Sequence, residues 1–247
     1  MMRNLFYHNW ASAKKCIQES EGILVTVGSV EEHGFHLPLG TDIILAHVFA
    51  EAVCEKENMY YYPCVTYGQV WSAKEFEGTI SISPDCLRAY CLQVVESVLR
   101  ACPRRVILYS FHNGNHKVIE ELLRELTDRG IGENVFHITN AGIEKQAQHI
   151  LTTPLWNGNV WHAGELETSL MLYAAAELVD MDAATAEFPP VPFFYGKKPV
   201  PWKEFLESGA FGDASSATGE KGEALFQLIC RELETQIQCI KGEKINE

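Results

Sequence analysis

Short, wholly apolar runs alternate along this chain with longer segments whose apolar residues recur every three to four positions. Ile23–Val27, Met59–Thr66, Arg105–Ser110 and Val135–Thr139 read as strands of a kind buried on both faces. Helices are expected between them, over Ile43 to about Cys54, about Pro84 to Arg100, and from the Asn113-Gly114-Asn115 turn to about Arg129. The second opens on proline, which a helix start tolerates. This β-α alternation predicts a layered α/β fold with a mainly parallel sheet, and ligands gather beyond the carboxyl ends of such strands. The last third differs. Pro189 to Trp202 is rich in proline and aromatic residues and predicts irregular chain, while Gly219–Lys241 reads as an amphipathic terminal helix. No repeat, low-complexity stretch or linker interrupts the pattern, so one domain over residues 1–247 is expected.

Composition narrows the function classes. The 247 residues are 47% apolar and 21% charged, ordinary for a globular enzyme. A formal net charge of −13, with no run of Lys or Arg, argues against nucleic acid and anionic membrane surfaces as partners. The N-terminus lacks the apolar core of a signal peptide. No apolar stretch approaches the roughly 20 residues that span a bilayer, and a cytoplasmic location is expected. The eight cysteines include no C-x-x-C pair and read as reduced, buried thiols rather than disulfides or metal ligands.

Candidate chemistry collects where the strands end. Glu31-x-His33 follows the first strand, and in extended backbone residues i and i+2 share a face. The turn-rich run to Gly40-Thr41 can fold Asp42 back towards them. Two carboxylates and an imidazole at one point resemble half of a divalent-metal site, which makes hydrolysis by a metal-activated water the leading chemistry. His112 ends a later strand before the tight turn at Gly114 and Asn115. A third cluster, His162-Ala163-Gly164-Glu165-Leu166-Glu167, leads into a helix whose first turn would favour either carboxylate on dipole grounds alone. Glu32 alternates away from Glu31 and His33 and is expected to be exposed. His36 is expected beside the site, while His8, His47, His116, His137 and His149 read as structural or surface residues. Ser110 sits in no G-x-S-x-G elbow, and neither a P-loop nor a dinucleotide-binding fingerprint occurs.

Four stretches resemble the creatininase (creatinine amidohydrolase) family. Gly28-Ser29-Val30-Glu31-Glu32-His33-Gly34-Phe35-His36-Leu37-Pro38-Leu39-Gly40-Thr41-Asp42 is similar to its signature, and His162 to Leu172 to its second block. Phe111-His112-Asn113-Gly114-Asn115 resembles its Gly-His-Gly-Gly-Asn turn, and Gly212-Asp213 with Ala217-Thr218 and Lys221-Gly222 its C-terminal block. The resemblance implies a three-layer α/β/α sandwich with a mainly parallel mixed sheet, usually a homohexamer. It also implies two divalent ions per subunit (zinc, manganese or iron). Carried over by position, Glu31 and His112 hold one metal, His33 the other, and Asp42 bridges both. In creatininase a glutamate two residues after the second histidine completes the second site, and that position is Gly114 here. Glu165, where creatininase has no acid, is the expected replacement, since His33 and Asp42 alone leave a dication short of anionic donors. His162 matches the proton-transfer histidine, with Glu167 as the other candidate base.

Departures bear on the substrate. Ala73 replaces a family histidine and Glu77 a proline. The tryptophan that closes over substrate in creatininase falls near Gly158, flanked by Trp156 and Trp161, which with Trp71 are candidates for lining the pocket. The expected activity is cleavage of a C–N bond in a small cyclic amide, creatinine-like, or a formamide. A metallopeptidase trimming a short modified peptide is the alternative within the enzymes, and a catalytically silent binding protein is the alternative outside them.

Overall fold

The computed structural model describes residues 2–102, 104–140, 142–154, 162–190 and 192–242. Its main sheet has four strands, β1 (Ile23–Val27), β2 (Tyr60–Val65), β3 (Val106–Tyr109) and β4 (Val135–Ile138), in the order β2-β1-β3-β4. All three pairings are parallel, with Leu24 opposite both Tyr61 and Ile107. Antiparallel pairing occurs in a separate ribbon of β5 (Ala186–Glu187) and β6 (Gly212–Asp213) and in the isolated bridges Val30–Ile80 and His162–Phe211.

Alternation along the strands builds two cores. Leu24, Tyr61, Ile107, Tyr109 and Ile138 face one side, and Ile23, Val25, Val27, Tyr60, Val106, Leu108 and Val135 the other. Apolar residues at helical spacing cover both sides. On the second side pack α1 (Trp10–Glu19), α3 (Pro84–Ala101) and α4 (His116–Asp128), the last through Val118, Ile119, Leu122 and Leu126. On the first side lie α2 (Thr41–Lys56), the one-turn α5 (Glu144–Ala147), α6 (Glu165–Ala175) and α7 (Gly219–Lys241). The result is the expected α/β/α layering. Local signals set the helix ends: Ser83 accepts from Cys86 N–H ahead of Pro84, Thr218 accepts from Lys221 N–H, and Gly242 closes α7 in the left-handed conformation.

The eight cysteines are free thiols, five of them buried. Among the described residues no helix is long and apolar enough to cross a membrane. Among the described residues, the segment around Pro189–Trp202 holds an isolated Tyr195–Lys198 bridge and ends in a 3₁₀ turn, Trp202–Glu204.

Helices α6 and α7 approach so closely that a Cβ at Gly222 would run into the carbonyl oxygen of Ser169 and crowd Tyr173. Gly222→Ala is therefore expected to lower unfolding free energy by about 1–3 kcal/mol, the usual cost of overpacking. A denaturant midpoint equal to that of the parent chain would show that the helix pair separates without cost.

Candidate metal centre

With β2 on one side of β1 and β3 on the other, the sheet order reverses between β1 and β3. Crevices at such switch points, beyond the carboxyl ends of parallel strands, are where ligands bind in this class of fold. The loops leaving β1 and β3 carry Glu31, His33 and His112 into that crevice. The β1 loop is closed by Glu31 N–H donating to Leu39 O (3.0 Å) and by Thr41 Oγ1 donating to Pro38 O (2.7 Å). This turn delivers Asp42 to the first turn of α2, where the helix dipole favours a carboxylate.

Asp42 is the hub. It is 2% exposed, accepts from the Ser29 hydroxyl, and lies between two imidazoles. His112 Nδ1 is 3.2 Å from Asp42 Oδ2 and 2.8 Å from Glu31 Oε2. The other nitrogen, His112 Nε2, is 2.9 Å from the Gln69 carbonyl, which can only accept, so Nε2 carries the hydrogen. The Nδ1 position must then hold a proton or a cation between the two carboxylates. Burial opposes charge on His112, but Glu31 and Asp42 outweigh it and push its pKa well above the ordinary imidazole value. Asp42 is likewise held low, as His112 and His33 overcome its burial.

His33 repeats the arrangement. Its Nδ1 lies 3.1 Å from the Glu31 carbonyl oxygen, so Nδ1–H is the donor and Nε2 is a bare lone pair. Nε2 is buried without a hydrogen-bond partner, 3.7 Å from Asp42 Oδ1 and 3.9 Å from Glu167 Oε2. Those are separations of ligands around one small ion rather than of hydrogen-bonded atoms. An imidazole that donates one N–H to a carbonyl and aims the other nitrogen at carboxylates is a usual metal-ligand geometry. Three overlapping donor sets result among the described residues, Glu31–Asp42–His112 and His33–Asp42–Glu167, which share Asp42, and Glu31–His33–His162. The residues fit divalent cations.

His162 stands beside both sets, its ring 4.4 Å from that of His33. Its Nε2 is 2.9 Å from the Glu32 carbonyl oxygen and 3.2 Å from Glu32 Oε1, leaving Nδ1 turned towards Glu167 Oε2 at 4.0 Å. Burial disfavours its charge, yet Glu31, Glu32 and Glu167 raise its pKa to about 10. Ala163, next in the chain, takes a left-handed φ of 51° that aims its N–H at Glu167 Oε2. An alanine held there is a strained position of the kind found at functional sites.

Two sequence expectations need correction. Glu165 does not join the metal donors: its carboxylate is bound by the N–H groups of Thr152 and Thr153, the Thr152 hydroxyl and the Lys221 ammonium. Burial raises its pKa, but Lys221 and these donors take it down to about 2. The reason is directional. Glu165 and Glu167 lie two residues apart on α6, about 200° around a helix, so only one of them can face the cavity, and Glu167 does. Glu32 is not exposed either, being 5% accessible, because the chain after β1 turns rather than continuing as a strand. His36 is buried against the Thr168 hydroxyl at 2.8 Å, and His47 bonds the Tyr61 hydroxyl at 2.8 Å.

The donors floor a cavity of about 250 Å³ walled by Trp71, Phe111, Tyr195 and Trp202. Trp202 packs 4.9 Å from the His162 ring, and the Trp202 N–H donates to Ser72 O (2.8 Å). Sequence reasoning singled out Trp71 but missed Tyr195 and Trp202, which no motif places near the donors, and had Lys221 only as part of the C-terminal block. Trp156, Gly158 and Trp161 lie outside the described residues.

Comparison with known proteins identifies the family. A family model described as creatininase, creatinine amidohydrolase, matches residues 7–237. The chain belongs to the creatininase family. It is 28% identical over 223 residues to creatinine amidohydrolase of Pseudomonas putida, covering 83% of this chain and 84% of that one. It is 27% identical over 226 residues to mycofactocin precursor peptide peptidase of Mycobacterium ulcerans, covering 83% and 79%. A mutant creatininase of Zn–Zn type superposes with a TM-score of 0.81 at 24% identity, over 96% of this chain and 98% of that one, a likeness of fold. The chain is a creatininase-family hydrolase with candidate metal-ligand groups among its described residues.

The two α6 glutamates should separate on substitution. Glu167→Gln is expected to lower metal content. Glu165→Gln should leave metal content unchanged while costing about 1–3 kcal/mol of stability, the range for hydrogen bonds to charged groups. Elemental analysis beside thermal melts checks both, and metal loss in the Glu165 variant would return that residue to the ligand set.

Proposed function

We propose that this protein is a dinuclear metal-dependent amidohydrolase that cleaves a C–N bond of a small cyclic amide or formamide. The observation carrying this reading is the pair of buried donor sets, Glu31–Asp42–His112 and His33–Asp42–Glu167, that share Asp42. Divalent ions held there, zinc, manganese or iron, would supply Lewis acidity and an acidified water. The chain's own residues do the rest. Asp42, Glu31 and Glu167 provide the negative charge, and His33 and His112 are locked by the Glu31 and Gln69 carbonyls with their free nitrogens inward. His162, whose Nε2 is engaged by Glu32, exchanges its proton at Nδ1 and passes it to the leaving nitrogen. Trp71, Phe111, Tyr195 and Trp202 exclude water and offer flat surfaces to a planar amide.

The same site read as a metallopeptidase is favoured by one observation besides the relatives. A second cleft, lined by Gly196, Lys198, Pro199 and Val200, adjoins the cavity across Trp71, Ser72 and Tyr195 and gives room for an extended chain. We read residues 1–247 as one domain of a cytoplasmic homo-oligomer, a hexamer by family resemblance.

The test is a hydrolysis screen of the metal-reconstituted protein against creatinine, hydantoins, formamidopyrimidines and short peptides. Turnover of a cyclic amide or formamide is expected; release of an amino acid from peptides alone would establish the second reading. His162→Ala should keep both ions and lose about 10²–10⁴-fold in kcat, the usual contribution of a positioned acid or base. Asp42→Ala should lose metal and activity together, and two ions per subunit in that variant would contradict the shared-ligand assignment.

A further inference from the structure

Asn115 is fully buried in the turn after His112, and its side chain reaches three separate stretches of chain. Its Nδ2 donates to the Gly28 carbonyl at the end of β1 (3.0 Å) and to Ser110 Oγ at the end of β3 (3.2 Å). Its Oδ1 accepts from Gln69 N–H in the loop after β2 (3.0 Å). Two of these contacts lead straight to His112. The Gln69 carbonyl takes the His112 Nε2–H (2.9 Å), and the Ser110 hydroxyl donates to the His112 carbonyl (2.9 Å). Gly114 completes the packing, since a Cβ there would collide with both His112 Nε2 and Gln69 O.

We propose that Asn115 is the positioning residue for the Glu31–Asp42–His112 ion. It fixes the Gln69 carbonyl, and that carbonyl sets both the tautomer and the ring orientation of His112. Asn115 also holds the Gly28 carbonyl, next to Ser29, whose hydroxyl serves the shared Asp42, but its routes to a ligand imidazole end at His112, since His33 is locked by the Glu31 carbonyl instead. Loss of Asn115 therefore acts mainly on the His112 ion. This inference rests on the dinuclear reading, and the experiment keeps their failures apart.

The full-length protein is stripped of metal and titrated with Zn²⁺ against a chromogenic chelator, for the parent chain, Asn115→Ala and Ser110→Ala. Two binding steps are expected for the parent; a single step or none there would overturn the dinuclear reading itself. Removing a group that orients a metal ligand usually costs 10–100-fold in affinity. Asn115→Ala is thus expected to weaken one step by about 10–100-fold and shift the other by less than about threefold. Ser110→Ala should weaken the same step by a smaller factor, and it decides the matter if Asn115→Ala does not fold. Equal weakening of both steps would mark a merely structural role and overturn the proposal, as would two unchanged steps.

Discussion

Asp42 has to remain ionised while almost wholly buried, and the rest of the site follows from meeting that demand. A buried carboxylate without compensation takes up a proton instead of keeping its charge. Here the Ser29 hydroxyl, the first turn of α2 and two imidazoles surround it. Glu31 and Glu167 add further negative charge to the same small volume. Three carboxylates so placed repel one another strongly at low dielectric. Positive charge balances the cluster, and the inward-facing nitrogens of His33 and His112 can take it as protons or as bound metal cations.

The fold supplies this arrangement from elements that are far apart in sequence. Parallel strands place the ends of β1, β2 and β3 at one edge, so three loops meet without any long excursion. The loop from β1 provides two ligands and the turn that returns Asp42 on α2. The loop from β3 provides His112 and Asn115, and the loop from β2 contributes only a backbone carbonyl, at Gln69. The fourth contribution comes from α6, brought alongside α2 by the tight packing of α6 on α7. Each ligand is thus anchored to a rigid element, which is what a site needs when ångström errors in donor position matter.

Much of this was legible in the residues. Short apolar strands and spaced apolar helices predicted their elements to within a residue or two, because burial on both sheet faces leaves little ambiguity in period. Glu31, His33 and His112 stood out at strand ends and Asp42 at the turn into α2, while their expected roles came from the family resemblance. Glu165 was misassigned for a reason of helix phase: which of two glutamates on α6 faces inward depends on how the helix is rotated, and its packing on α7 sets that rotation. Glu32 was misplaced because period-two alternation was extended past the end of β1 into a turn. Trp202 and Tyr195 reach the cavity from a segment with no regular structure, so no periodicity announces them. Asn115 looked like a turn residue, and only its three distant partners reveal more.

The absence of a carboxylate at position 114 acquires a physical explanation from the same contacts. The space a side chain would need there is filled by the His112 ring and the Gln69 carbonyl. Any substituent would displace the interaction that holds His112 in its ligand geometry. With that route closed, the acid completing the His33–Asp42 set has to arrive from another direction. The opening turn of α6 faces the same crevice from across the cavity, and Glu167 occupies it, steered by the left-handed turn at Ala163. A glycine in one loop and a glutamate on a distant helix therefore complement each other: Gly114 leaves room for the Gln69 carbonyl to grip His112, and Glu167 brings a carboxylate towards His33 from α6.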